Sequence, residues 1–527
     1  MRRYLSDLLS ILAVVALGAV CADASLAQPA RQQRQPANAE APATPPQNPP
    51  QANAAAEQQR PREALLPPES VTKHSISIGG KTLNYTARAG ALTLTGDNDE
   101  PRAEVFYVAY MLADAHEPRP LTFAFNGGPG AASAYLHLGA IGPRTIDLGD
   151  GRSPPGGRPP KIVDNPDTWL PFTDLVFIDP VGTGYSYALR DVKDVPREFW
   201  GVNQDLDSLS QTIRRALTKL DRASAPVYLA GESYGGFRAA RLLDRLPTGQ
   251  GITVDGAVLV SPALEFSLRG SSDLDPLPWA LRLPSYAAVN LESQGKLTPE
   301  ALRDAEQFAL GDYIAQLIEP SPARAASINA RTAALIGLPA DFVARWNGRI
   351  PSGAFAKEIG RARGTLASQY DASVAGEDAY PSSPTARGGD PVFDGIIAPL
   401  TTAFVQYARD ELQYRTDRRY RLLNGEVSRR WDWGRSGPSS SLGTSGELRE
   451  ALALNPRLKV VIDHGMTDLV TPYMASRYVI DHLPDALTRD RVILRLHPGG
   501  HMMYLRPESR AGLRDDAKVL YDGRSTD

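Results

Sequence analysis

The chain has 527 residues, a formal net charge of −3 and a hydrophobic fraction of 42%. That is enough apolar sequence for a large core, and length alone allows roughly two or three domains. A balance this close to neutral offers no basic field for nucleic acid, so no nucleic-acid partner is expected.

The first residues have the composition of a leader. Met1-Arg2-Arg3 is positive, Leu8 to Val20 is apolar, and Ser25-Leu26-Ala27 fits a small-residue cleavage site. The apolar run is short for a bilayer span, which favours a signal peptide over residues 1–27 rather than a membrane anchor. Cys21, the only cysteine, lies inside it, and the bulky Val20 argues against a lipid anchor there. A mature chain starting at Gln28 would hold no disulfide, no thiol nucleophile and no cysteine–zinc site. The expectation is an exported protein, periplasmic or secreted, with no stable membrane insertion once the leader is cut. Residues 28–68 are rich in Pro, Ala and Gln and read as a disordered tether.

Globular patterning follows. HSISIGGKTLNYTARAGALTL and AEVFYVAYML alternate like antiparallel strands. The short apolar runs LTFAF, DLVFID, PVYLAG, GAVLVSP, KVVID and RVILRL are separated by helical stretches, the pattern of parallel strands covered on both faces. The fold class is therefore α/β, with a mostly parallel central sheet flanked by helices. Residues 264–430 break the rhythm and read as a largely helical insertion. It interrupts an α/β domain formed by residues 69–263 and 431–527. Within it, Thr298-Pro299-Glu300 predicts a helix start, continued by EALRDAEQFALGDYIAQLI.

The chemistry is carried by PVYLAGESYGGFRAARLLDRL. Gly231-Glu232-Ser233-Tyr234-Gly235 is a G-x-S-x-G motif between an apolar strand and an amphipathic helix. That context makes it a nucleophile elbow, with Ser233 held out of the sheet at a sharp turn. A serine hydroxyl needs a base, and the base needs an orienting acid, in the order Ser, Asp or Glu, His on this kind of sheet. His482, His497 and His501 follow late enough. His482 falls in a helical run and His497 closes a strand, whereas His501 follows Pro498-Gly499-Gly500 in a loop after the last strand. His501 is the expected base. Asp468, in the loop beyond KVVID, is the expected acid, with Asp463 at the strand end as the alternative.

Those residues resemble the serine carboxypeptidases, which have the α/β-hydrolase fold. The likeness runs from about Val71 to Asp527. It rests on FNGGPG, on NPDTWLPFTDLVFIDPVGTGYSYA, on GESYGG, and on GMTDLVTP with GGHMMY. It implies a catalytic triad of Ser233, Asp468 and His501. It implies an oxyanion hole formed by the N–H groups of Gly128 and Tyr234, and a substrate-carboxylate site formed by Asn126 and Glu232. It implies a peptide substrate and no metal or cofactor. Two positions depart from the family pattern. Where the family carries an acid in its ELGP sequence, paired with the glutamate before the nucleophile, this chain has Ala140. Where the family has a cysteine after NGGPG, this chain has Ala131. The loss at Ala140 predicts a preference for free C-termini that is weakened, or rebuilt from other residues.

The expected activity is release of C-terminal amino acids through an acyl-enzyme. Two alternatives stay open: an esterase, amidase or acyltransferase on the same machinery, and an inactive hydrolase-like binding protein. FNGGPG has neither a P-loop nor a G-x-G-x-x-G spacing, which argues against nucleotide binding. Leu283-Pro284-Ser285-Tyr286 is either pocket lining or packing. Side-chain specificity and oligomeric state are not legible in the sequence.

Overall fold

The computed structural model describes residues 66–113, 119–156, 160–189, 194–270, 272–434 and 442–522. The expected leader, and the tether through residue 65, lie outside them. The described residues belong to one compact unit, Arg62–Asp527.

The main sheet is built from β1 (Ser70–Ile78), β2 (Lys81–Thr95), β3 (Pro101–Leu112), β4 (Leu121–Phe125), β5 (Asp174–Ile178), β6 (Val227–Glu232), β7 (Val254–Val260), β8 (Lys459–Gly465) and β9 (Val492–His497). Their order across the sheet is β1-β2-β3-β5-β4-β6-β7-β8-β9, and the short strand Tyr187–Ala188 pairs with β3. The first three strands form an antiparallel meander, and β5 joins β3 antiparallel. From β5 to β9 every pairing is parallel.

The apolar runs become central strands because both of their faces are covered. Every residue of β4, β5 and β6 is buried. Alternate residues feed opposite cores, as the two-residue period of a strand requires. Phe123, Val176, Leu229, Leu259 and Ile462 enter one core. Ala124, Phe177, Ala230, Val258 and Val461 enter the other. The first core is closed by α1 (Val202–Lys219) and α2 (Tyr234–Gln250), through Leu209, Ile213, Phe237 and Leu246.

Between β7 and β8 the described residues add no strand to this sheet. It runs through α3 (Leu277–Ser293) and several shorter helices, whose apolar side chains, among them Tyr286, Phe308, Ile336 and Phe355, build a core of their own. The later helix α4 (Phe393–Asp410) instead packs Leu400 and Phe404 into the second sheet core, beside Leu513 and Leu520 of α5 (Pro507–Asp522).

One local expectation changes, and one open alternative is decided. Thr298 caps only a turn, its hydroxyl accepting from the Ala301 N–H at 3.1 Å, and the helix opens later, at Arg303. It is then broken at Gly311, whose φ of −106° and ψ of −107° no helix accommodates. The stretch Leu283-Pro284-Ser285-Tyr286 sits buried inside α3, where Tyr286 stacks on Phe355 and donates to the Ile350 carbonyl. Its role is packing.

Candidate active site

The site sits at the carboxyl ends of the parallel strands, where β4, β6, β8 and β9 all release loops. Ser233 is the hinge between β6 and α2. Its φ of 60° and ψ of −121° are strained for a residue with a side chain, and they turn it out of the sheet. The turn is so tight that a Cβ on Gly235 would meet the Phe125 carbonyl at 2.5 Å. The Ser233 N–H is anchored on the Val260 carbonyl at 2.9 Å.

The glycine turn after β4 lies directly against this elbow. A Cβ on Gly127 would lie 2.5 Å from the Tyr234 nitrogen and 2.7 Å from that of Gly235. Glycine is what lets the two backbones touch. Among the described residues, neither the Gly128 nor the Tyr234 N–H donates a loop or cap hydrogen bond. Both donors are therefore available to an oxygen held between the turn and the elbow.

The turn is held from both sides. On the helix side, the buried guanidinium of Arg238 forks onto Asp205, at 2.7 and 3.1 Å, and also donates to the Asn126 carbonyl. Fixing that carbonyl fixes which way the next peptide N–H groups point. On the other side, the buried carboxylate of Asp179 accepts from both the N–H and the hydroxyl of Ser133 at 2.8 Å. Sequence reasoning passed over Arg238 and Asp205. The signal available was an arginine on the apolar face of α2, which needs a buried partner.

His501 and Asp468 meet at the ends of β9 and β8. His501 Nδ1 and Asp468 Oδ2 are 2.8 Å apart, and both side chains are buried. An ionised carboxylate only accepts, so Nδ1 carries the proton and Nε2 is left basic. Asp468 is itself oriented by the N–H groups of Val470 and Thr471 on Oδ1 and by the Thr471 hydroxyl on Oδ2. The Asp and His loops are tied together. Thr467 N–H donates to the Gly499 carbonyl at 2.9 Å, and the Thr467 hydroxyl donates to Asp371 at 2.7 Å. Buried Arg506 joins the same Asp371 to Glu292 of α3. Burial pushes the His501 imidazole down, but the Asp468 charge and hydrogen bond outweigh it and hold its pKa above the usual value.

Ser233, His501, Asn126, Gly128 and Glu232 line one cavity of about 100 Å³. Its remaining wall is mostly apolar, with Tyr370 set edge-on to the His501 ring at 5.3 Å. Glu232 is buried and accepts on Oε2 from Asn126 Nδ2 at 2.6 Å and from the Tyr504 hydroxyl at 2.7 Å. Burial drives its pKa up to about 7, although His501, Tyr504 and Asn126 pull it down. A neutral Glu232 thus carries its proton on Oε1 and can donate it. Ala140 is buried and brings no carboxyl to the site. The high Glu232 pKa arises from desolvation with a phenol as neighbour. The Tyr504 contact was not foreseen, although GGHMMY contains the residue.

The alternative acid goes elsewhere. Asp463 Oδ1 lies 2.9 Å from His497 Nε2, with Asp516 Oδ2 at 3.2 Å from the same nitrogen. These three are the described residues whose spacing would suit a metal ion. Here the imidazole between two carboxylates does that job as a cation, its pKa raised to about 9 because both acids outweigh the effect of burial. His482 is exposed on its helix and stacks on Tyr478.

Comparison with known proteins agrees with this geometry. A family model described as serine carboxypeptidase matches residues 80–254. Serine carboxypeptidase-like 16 of Arabidopsis thaliana is 27% identical over 187 residues, 34% of this chain and 41% of that protein. A carboxypeptidase Y homolog of Arthroderma benhamiae is 30% identical over 167 residues, 31% of this chain and 30% of that protein. The matches thus span less than half the length of these relatives. Among solved structures, a prohormone-processing carboxypeptidase from Saccharomyces cerevisiae superposes with a TM-score of 0.51 and 16% identity, covering 83% of this chain and 91% of that one. At that identity the likeness speaks for the fold, an α/β-hydrolase. The family model and the relatives point the same way: over residues 80–254 and their surroundings the chain is similar to the serine carboxypeptidases.

Proposed function

We propose that the protein is a serine-type carboxypeptidase that releases C-terminal amino acids from peptides. The observation that supports this best is the buried His501–Asp468 hydrogen bond on the wall of the cavity that Ser233 and Glu232 also line. Ser233 Oγ attacks the carbonyl of the terminal peptide bond as His501 Nε2 takes its proton. Asp468 stabilises the imidazolium without accepting the proton. The oxyanion is met by the Gly128 and Tyr234 N–H groups, each donor contributing roughly 3 kcal/mol in the transition state. His501 then protonates the departing amine, and water releases the acyl group by the reverse route. Asn126 and neutral Glu232 donate to the substrate's terminal carboxylate.

The region 264–430 acts in this reading as a cap over the catalytic domain of residues 69–263 and 431–527. The leader-like residues 1–27 support export. Among the described residues no helix is long and apolar enough to cross a membrane. A second reading, an esterase, amidase or acyltransferase, is favoured by Ala140 standing where the resembled family carries an acid, and by Glu232 being the only carboxyl among the residues lining the cavity.

The test is cleavage of an N-blocked dipeptide with a free C-terminus against the same dipeptide amidated, with Ser233→Ala as control. Preferential cleavage of the free acid supports the carboxypeptidase. Equal or faster cleavage of the amide, or of an ester, replaces it with the second reading.

A further inference from the structure

The loop after β7 brings a cation to the cavity. Arg269 closes the short helical turn Phe266–Arg269 and lines the cavity with Ser233, Glu232 and His501. Among the lining residues it is the only guanidinium or ammonium group. The two buried arginines that brace the site are engaged. Arg506 pairs with Asp371 and Glu292, and Arg238 pairs with Asp205. Arg269 differs. Its side chain lies over the Phe266 ring, 5.5 Å from the centroid, and among the described residues it has no ion-pair partner. Its charge reaches the catalytic pair, where it lowers the affinity of His501 for its proton.

A cation on an aromatic ledge is also a common surface arrangement. What sets this one apart is its address on the wall that holds the nucleophile. Glu232, the only carboxyl among the residues lining that wall, keeps its proton up to about pH 7. The cavity wall therefore carries a guanidinium that, among the described residues, is ion-paired to no carboxylate. Charge-assisted hydrogen bonds from a guanidinium to a carboxylate are strong and geometrically selective.

We propose that Arg269 is a specificity-determining residue that binds a substrate carboxylate by ion pairing at the wall that also holds Ser233. The inference rests on the carboxypeptidase reading only in taking peptides as ligands. The carboxylate is either the peptide's C-terminus or an acidic side chain of its last residues.

Binding without turnover tests it. The full chain carrying Ser233→Ala, with and without Arg269→Gln, is titrated calorimetrically with four N-benzoyl dipeptides. These are a free acid and its amide, each ending in Asp or Asn. The Ser233→Ala protein is expected to bind the charged member of a pair at least about tenfold more tightly, and Arg269→Gln to abolish that difference while amide–Asn binding stays unchanged. Loss confined to the acid/amide pair assigns Arg269 to the C-terminus, and loss confined to the Asp/Asn pair assigns it to the side chain. Either supports the proposal. Equal charge preference in both proteins, uniform weakening of all four ligands, or no binding of the charged ligands overturns it. Arg269→Lys should restore part of the preference. Because nothing is cleaved, a wild-type enzyme that fails to hydrolyse the free acid would sink the carboxypeptidase reading and leave this result standing.

Discussion

Two histidine–aspartate pairs sit at the ends of β8 and β9, only a few residues apart in sequence, and they do opposite things. Asp468 and His501 form a single pair, with one carboxylate on Nδ1 and a free Nε2 at the cavity. Asp463 and His497 include a third member, Asp516, and both carboxylates converge on Nε2 of the imidazole. One acid orients a base and stabilises its charge when it forms. Two acids hold the charge permanently, with a pKa of about 9, and a permanently charged imidazole cannot accept a proton from a serine near neutral pH. On the proposed function, the number of carboxylates, more than their distance, separates the base His501 from the structural His497.

The sharpest way to break this comparison is to remove the acids one at a time. Asp468→Asn should reduce kcat by about 10⁴-fold, because the imidazole loses the correct tautomer and its counter-charge, with little change in melting temperature. Asp463→Asn should leave kcat within a few-fold and cost about 1–3 kcal/mol of stability, measured by denaturant unfolding. If the two variants exchange these behaviours, the assignment is wrong.

A third buried pair extends the test to the glycine turn. Arg238→Met leaves Asp205 charged and unpaired and frees the Asn126 carbonyl. The expected loss is roughly 3–5 kcal/mol of stability. The double variant Arg238→Met/Asp205→Leu should recover stability more than activity, since only Arg238 reaches the turn.

The pH dependence sharpens the contrast in a graded way. Glu232 has its pKa raised to about 7 from an ordinary 4.5. The folded state keeps this proton after the unfolded state has lost it, so stability falls as pH rises across that window. Cleavage of free acids should decline as pH rises through about 7, where Glu232 stops donating. Esters should show only the rising limb set by His501. Glu232→Gln should remove the decline and flatten the stability profile.

The smallest effect belongs to His497. Its raised pKa gives a contribution complete below about 6.5 and lost as pH climbs through about 9. His497→Gln should erase that slope in melting temperature and leave kcat within about two-fold.

The parallel sheet was legible in the sequence because β4 to β8 are buried on both faces, so their apolar runs are nearly continuous. Ser233, Asp468 and His501 could be picked out as candidates because strand-end loops rich in Gly and Pro carry them, and the structure gathers them at one cavity and its adjoining loop. Asp463 against Asp468 could not be settled from spacing, since it depends on Asp516, which α5 brings in from the far end of the chain. Tyr504 and Arg238 were missed for a similar reason: each acts through long-range contacts that leave no periodic trace. The interrupted helix after Thr298 was lost to Gly311, whose backbone angles overrode a good helical pattern.

The most direct test of the central claim is peptide-level mass spectrometry after reaction with a fluorophosphonate, in wild type, Asp468→Asn and Asp463→Asn. The account predicts a single phosphonylated site, Ser233, formed slowly in Asp468→Asn and at the wild-type rate in Asp463→Asn. Labelling away from Ser233, or an Asp463→Asn rate as slow as that of Asp468→Asn, would contradict it.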